Sequence, residues 1–248
     1  MIPGGKMNTL GIIGGVGPLA TAYFLDMLVR MTDAQTDQQH PDMIIYNAPS
    51  IPDRTSYILG KSDESPVPRV IEIAKKLEDQ GVSHIAAPCV TLHRFHDEIS
   101  GALSVPLINA VAETDEYLAS HGIETAGIMA TDGSVRGGVF KKYFKKTKCI
   151  YPSKMSQELV MEIIYGSVKS GRPVDMHRFC AIADELRSEG AQCIVLGCTE
   201  LSIVRRDYDI GAGFLDAMEV LACASLRACG APVKKEYEEL ITTDVHRA

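Results

Sequence analysis

The sequence has 248 residues, 46% of them hydrophobic and 23% charged, with a formal net charge of -7. That length suits one large α/β domain or two small ones of roughly 110–120 residues, and the composition excludes disordered and fibrous classes. The negative balance gives no electrostatic case for nucleic acid or a membrane surface, no apolar run approaches the ~18–20 residues of a membrane span, and the opening residues, Met1 to Leu10, lack a signal peptide's apolar core.

The chain opens with an apolar, β-prone run, Leu10 to Ile13, broken by Gly14-Gly15-Val16-Gly17-Pro18. Pro18 suits the first position of a helix, whose core face is Tyr23, Phe24, Met27, Leu28 and Met31. Met43 to Tyr46 reads as a second strand, and a polar loop follows at Ser50 to Thr55. A helix is predicted over about Pro68 to Gln80, with Val70, Ile71, Ile73, Ala74 and Leu77 inward and Gly81 ending it. The strand His84 to Ala87 runs into Pro88-Cys89-Val90-Thr91-Leu92-His93. A short strand at Val105 to Ile108 and a helix over about Ala110 to Ser120 complete the first half. Strands alternating with helices of this length indicate βαβ units and parallel sheets.

The second half restarts the pattern. Ala126 to Ala130 with the turn Thr131-Asp132-Gly133-Ser134 echoes the opening strand and its small-residue turn. Gly190 to Thr199 echoes Gly81 to Val90: a helix-ending glycine, a hydrophobic strand, then a cysteine. The shared order supports duplication of a roughly 110-residue α/β unit. No linker rich in Pro, Gly or Ser separates the halves, which should therefore pack closely. The expected fold class is α/β, with two similar subdomains of parallel strands flanked by helices, related by a pseudo-twofold axis, and a site in the cleft between them. The expected division is 1–112 plus 217–248 for the first subdomain and 113–216 for the second.

Seven cysteines are an odd number at no tight metal spacing. Without an export signal they read as reduced thiols of a cytoplasmic protein. Cys89 and Cys198 occupy equivalent places at the carboxyl ends of strands, where open parallel sheets bind ligands. Each should precede a helix whose amide groups and dipole favour thiolate over thiol. Two thiols facing each other across a cleft suit one reaction: a thiolate removes a proton from carbon and a thiol returns one to the opposite face, without a cofactor. Cys149, Cys180, Cys193, Cys223 and Cys229 read as buried packing residues. Alkylation should accordingly reach Cys89 and Cys198 first.

Four ordered motifs carry a resemblance: Gly14-Gly15-Val16-Gly17-Pro18, Ile51-Pro52-Asp53-Arg54-Thr55, Pro88-Cys89-Val90-Thr91-Leu92-His93 and Gly197-Cys198-Thr199-Glu200. The chain resembles the aspartate/glutamate racemase family of cofactor-independent amino-acid racemases over nearly its whole length. The segment from Asn47 to Gly60, and Glu200 where glutamate racemases usually carry His, resemble the aspartate racemase branch. The resemblance implies two α/β subdomains with the active site between them and a C-terminal helix that returns to the first. It implies Cys89 and Cys198 as the acid/base pair, Arg54 and Lys169 as substrate-carboxylate ligands, and Thr91, Thr131 and Thr199 as donors. It also implies a small amino-acid or carboxylate substrate, no cofactor, and a homodimer. One departure stands out. Val90 replaces the family's Asn, which can donate to a carboxylate and accept from an ammonium group; Val does neither. Losing such a buried partner costs on the order of 1–3 kcal/mol if nothing replaces it. An altered or relaxed substrate preference is therefore expected.

Other residues are weighed on their chemistry. Arg54 either pairs with Asp53 or grips a carboxylate with two parallel hydrogen bonds. Lys169 either complements a helix C-terminus or binds substrate; no phosphate-binding signature accompanies it for pyridoxal phosphate. The Gly14 to Pro18 loop is neither a Rossmann fingerprint nor a P-loop, and its glycines suit close backbone approach to a carboxylate. His93 and His96 lack a third ligand for a metal, and His93 is expected to support the Cys89 loop. The run Lys141 to Lys146 reads as one face of an amphipathic helix with Phe140, Tyr143 and Phe144 inward. Alternatives within the superfamily are another isomerase or a decarboxylase, such as hydantoin racemase, maleate isomerase or arylmalonate decarboxylase. A third reading is a non-catalytic amino-acid binder.

Overall fold

A computed structural model of the protein describes residues 7–243. The opening residues Met1 to Lys6, read above for a signal peptide, and residues 244–248 of the expected first subdomain lie outside the described residues.

In chain order the first half comprises β1 (Leu10–Gly14), α1 (Pro18–Met31), β2 (Met43–Asn47), α2 (Arg54–Ile58), α3 (Val67–Asp79), β3 (His84–Ala86), α4 (His96–Ser100) and α5 (Ala110–Ser120). The second comprises β4 (Thr125–Met129), α6 (Asp132–Arg136), α7 (Val139–Tyr143), β5 (Lys148–Ile150), α8 (Lys154–Met161), a π-helical stretch (Glu162–Val168), α9 (Met176–Ser188), β6 (Cys193–Leu196), α10 (Thr199–Asp207) and β7 (Phe214–Asp216). α11 (Ala217–Ala228) follows.

The strands form two separate parallel sheets, ordered β2-β1-β3 and β5-β4-β6-β7. In each, the first strand is flanked by the second and third. Leu107 adds a parallel bridge beyond β3, at the place β7 holds beyond β6. The two halves thus repeat one strand order, as a duplicated unit requires. The expected strand at Val105 to Ile108 is reduced to that bridge. Ile85 donates to the Pro106 carbonyl and Ile108 to the Ile85 carbonyl, both at 2.9 Å. Pro106 has no N–H to extend the ladder.

Burial follows strand alternation. Leu10 and Ile12 of β1, Ala126 and Ile128 of β4, and Cys193 and Val195 of β6 enter one core shared by both halves. Ile13 turns to a second core under α3, and Met129, Ile194 and Leu196 to a third under α9. α1 buries Ala20, Phe24, Met27, Leu28 and Met31, a helical stripe that begins after Pro18 as expected. α11 packs on α5 and α1, so the chain returns from the second sheet to the first half. Beyond it, Thr242 pairs its backbone with Gly213 and Phe214, beside β7.

Further differences are local. The polar loop ends at Asp53, whose carboxylate accepts from the Ser56 amide and caps α2. Cys180 is exposed, not packed: Phe179 and Ile182 take the buried side of α9 and Cys180 turns outward. The other four non-cleft cysteines are buried or half-buried.

Candidate active site

Every expected site residue arrives at the carboxyl ends of the sheets. Cys89 stands three residues after β3 and Cys198 two after β6. Each begins a helix, a tight 3-10 turn (Val90–Phe95) for Cys89 and α10 for Cys198. Thr131 follows β4 and caps α6 by accepting from the Ser134 amide. Arg54 opens α2, and Lys169 ends the π-helical stretch.

These elements close around one small cavity. Cys89, Val90 and Thr91 come from the first half, with Arg54; Thr131, Lys169, Cys198, Thr199 and Glu200 come from the second. All nine expected residues line it. Its volume is about 10 Å³, room for one water molecule. A larger pocket of about 560 Å³ adjoins it and shares Arg54, Lys169 and Glu200. Its other walls include Gly15, Pro18, Leu19, Ile51, Val168 and Ile203. The Gly15 backbone, at φ 85, runs so close to Ala48 that a Cβ would lie 2.3 Å from its carbonyl carbon.

The two thiols differ in surroundings. The Cys198 thiol donates to Glu200 Oε2 at 2.9 Å, and Thr199 Oγ1 donates to the same oxygen at 3.3 Å. Burial pushes the Cys198 thiol well above its ordinary value, and the Glu200 carboxylate adds to this; Lys169 opposes both. The expectation that a helix N-terminus would favour thiolate is therefore reversed at Cys198, because burial, with the hydrogen-bonded Glu200 carboxylate adding to it, outweighs the dipole. Arg54 lies beside Cys89. Burial works against the guanidinium's charge, but Cys89 and Asp53 outweigh it and hold Arg54 above its ordinary value.

Arg54 is 8% exposed, and among the described residues no carboxylate comes within ion-pair distance of it. Its terminal nitrogens reach the Pro52, Val16 and Ile51 carbonyls at 3.2, 3.4 and 3.5 Å, and its Nε has no partner among the described residues. The alternative of an exposed Arg54 paired with Asp53 is thus not what the fold builds. Lys169 differs: its Nζ lies 3.8 Å from Glu200 Oε1 and 4.2 Å from the centre of the Tyr165 ring. Glu200 and Tyr165 support its charge against burial, which acts the other way.

Hydroxyl groups seal the junction. Thr91 Oγ1 lies 2.9 Å from both Thr131 Oγ1 and Ser134 Oγ, joining the first half to the second. His93 supports the Cys89 turn as expected, with Nδ1 3.0 Å from the Cys89 carbonyl oxygen. Among the described residues no group of three His, Cys, Asp or Glu side chains is placed to hold a metal ion. No helix among them is long and apolar enough to cross a membrane.

Three cavity residues were not singled out from sequence: Val16, Thr55 and Tyr165. Tyr165 donates to Asp53 Oδ2 at 3.4 Å, linking the second half to the cap of α2. Its spacing of four residues from Lys169, one turn of helix, is the signal that could have found it.

Comparison with known proteins places this geometry. The family model described as Asp/Glu/Hydantoin racemase matches residues 13–225. An aspartate racemase of Picrophilus torridus superimposes with a TM-score of 0.80 at 30% identity, covering 93% of this chain and 98% of that one. The broad specificity amino-acid racemase RacX of Bacillus subtilis is 28% identical over 221 residues, 86% of this chain and 94% of its own length. A Thermus thermophilus glutamate racemase shares the fold at 21% identity, with a TM-score of 0.63 over 90% of this chain and 80% of that one. With two parallel sheets in one strand order and two cysteines at one cavity, the chain belongs to the Asp/Glu/hydantoin racemase family.

Proposed function

We propose that this protein racemises an amino acid at its α-carbon, with Cys89 and Cys198 as the two acid/base groups and no cofactor. The observation that carries this reading is the shared cavity: two buried cysteines, one from each half, at equivalent strand ends. Arg54, with no carboxylate partner among the described residues, is the group to receive the substrate's α-carboxylate. Cys89 as thiolate takes the α-proton, and the electron pair left on carbon spreads into the carboxylate. The Arg54 charge stabilises that developing anion. The Cys198 thiol then gives its proton to the opposite face, leaving Cys89 as thiol and Cys198 as thiolate. The opposite enantiomer runs the sequence backwards.

The resting form follows from the surroundings. Cys198, hydrogen-bonded to Glu200, holds its proton in the form that takes one enantiomer through Cys89; the form left after that turnover, with Cys89 protonated, takes the other. Substrate is larger than the cavity, so the two halves part to admit it from the adjoining pocket. On this reading the halves are 1–112 with 217–248 and 113–216, related by a pseudo-twofold axis. A homodimer is part of the proposal. α1 supports it with Leu19, Leu25 and Val29, exposed by 53%, 36% and 48%.

The test is deuterium uptake at Cα in heavy water across the common amino acids. Cys89→Ala should abolish exchange from one enantiomer and Cys198→Ala from the other. If the wild-type protein exchanges no α-hydrogen, the reading fails. Thermal stabilisation by an amino acid without exchange would identify a binder instead.

A further inference from the structure

We infer that Glu200 is a proton relay for the thiol pair: between turnovers it passes the Cys198 proton to and from water in the adjoining pocket. This role rests on the two-thiol racemase reading and fills a step that reading leaves open. Each turnover leaves the protein in its other form. When Cys89 takes an α-proton and Cys198 gives one, Cys89 remains as thiol and Cys198 as thiolate. A protein supplied with one enantiomer alone must undo this before it turns over again. With no substrate present, Cys89 has to lose a proton and Cys198 has to gain one.

The walls limit the routes. Both thiols line the small cavity, and neither lines the larger pocket. Arg54, Lys169 and Glu200 line both. A guanidinium does not give up its proton in a protein. Among the described residues Glu200 is the one carboxylate in the cavity wall. Its Oε2 accepts from the Cys198 thiol at 2.9 Å, and its Oε1 lies 3.8 Å from Lys169 Nζ. The Lys169 side chain, 28% exposed against 7% for Glu200, is the end nearer water.

Electrostatics supplies the drive. A Cys198 thiolate against the Glu200 carboxylate would bury two anions in contact, which is strongly unfavourable. Glu200 therefore takes a proton from a water in the pocket: an O–H bond forms and hydroxide is left. A half-turn of the carboxyl group exchanges its two oxygens and brings that proton to Cys198, where the O–H bond breaks and an S–H bond forms. Cys89 gives its proton to water, which neutralises the hydroxide, and is left as thiolate beside Arg54. Nothing is oxidised or reduced. In sum one proton moves from Cys89 to Cys198, and with only the opposite enantiomer supplied the steps run in reverse.

The experiment separates this reset from the chemistry, using the best substrate of the deuterium screen at saturation. In an equilibrated racemate the two forms consume opposite enantiomers in turn, so a carbon-13-labelled L enantiomer becomes D without any reset. Net conversion of pure L needs one reset per turnover. Glu200→Gln keeps the side chain's shape but cannot carry the proton. Both rates should fall, net conversion at least tenfold further than label conversion. An equal fall would mark a structural role and overturn the inference. In wild type, D product formed early from α-protio L in heavy water should carry deuterium. The substrate's own proton in more than a tenth of it would show the thiols trading protons directly, which also overturns the inference. A third measurement needs no turnover: the ultraviolet absorbance of the Cys198 thiolate, taken as the difference between Cys89→Ser and Cys89→Ser/Cys198→Ser. Adding Glu200→Gln should make it appear at least one pH unit lower. If wild type racemises nothing, the racemase reading fails and this titration alone decides. A lowered titration supports Glu200 as the holder of the Cys198 proton, and an unmoved one refutes it whether or not wild type is active.

Discussion

Acidification should destabilise this protein through His93, and the magnitude can be worked from its surroundings. The ring is 3% exposed, with Nδ1 3.0 Å from the Cys89 carbonyl oxygen and Nε2 3.3 Å from that of Ile108. A neutral imidazole donates through one nitrogen only, so a proton on the second would satisfy both carbonyls. Burial nevertheless prevails, with neighbouring His96 assisting, and lowers His93 from 6.5 to about 4. Between those values the unfolded chain binds a proton that the folded one does not, so stability rises with pH there and falls on acidification. At ~1.4 kcal/mol per pH unit, His93 contributes about 3 kcal/mol that is present above pH 6.5 and lost on the way to pH 4. Urea unfolding of wild type and His93→Gln at pH 7, 6, 5 and 4.5 isolates this share. Both proteins lose the common carboxylate contribution, but only wild type loses the histidine's, so their stabilities should converge toward pH 4. Parallel curves would refute the assignment of a buried, neutral His93.

Two further outcomes are expected. Gly133→Ala places a methyl group 2.7 Å from Thr55 Oγ1 and 2.8 Å from Thr55 Cα, forcing α6 off α2. Overpacking of this kind costs about 1–3 kcal/mol, and turnover should fall at least tenfold while the circular dichroism spectrum is kept; an unchanged rate would show that the α2–α6 contact does not set the cavity. Iodoacetamide should modify exposed Cys180 before Cys89 and Cys198, each 7% exposed, reversing the order expected from sequence. Mass spectrometry against residual activity decides this: inactivation in step with Cys180 would place a needed thiol on α9.

What was legible in the sequence was what local pattern encodes. β1, β2 and β4 are apolar runs that end in small-residue turns, and α1, α3 and α5 carry 3.6-residue stripes, so their places could be read directly. The equivalence of Cys89 and Cys198 was legible because both halves run glycine, hydrophobic strand and cysteine in the same order. β5 and β7 were not legible: each is three residues long, too short to show alternation, and neither lies in the glycine–strand–cysteine pattern that marked the equally short β3. Exposure of Cys180 was hidden because a small thiol fits either side of α9. The Lys169–Glu200 contact joins residues 31 positions apart, and the Tyr165–Asp53 bond joins residues 112 apart. Nothing in local spacing encodes such partners. They follow only once the two sheets are brought face to face at the cavity.

The return of α11 to the first half bears on how the protein is made. The shared core joins Leu10, Ile12, Phe24 and Leu28 to Met218, Leu221, Leu226 and Leu240. As the chain leaves the ribosome, the first half therefore waits, one apolar face uncovered, until α11 emerges. An early stop anywhere before α11 yields not a working half but a sticky fragment. Both thiols are therefore synthesised before the helix that closes the core beneath their shared cavity.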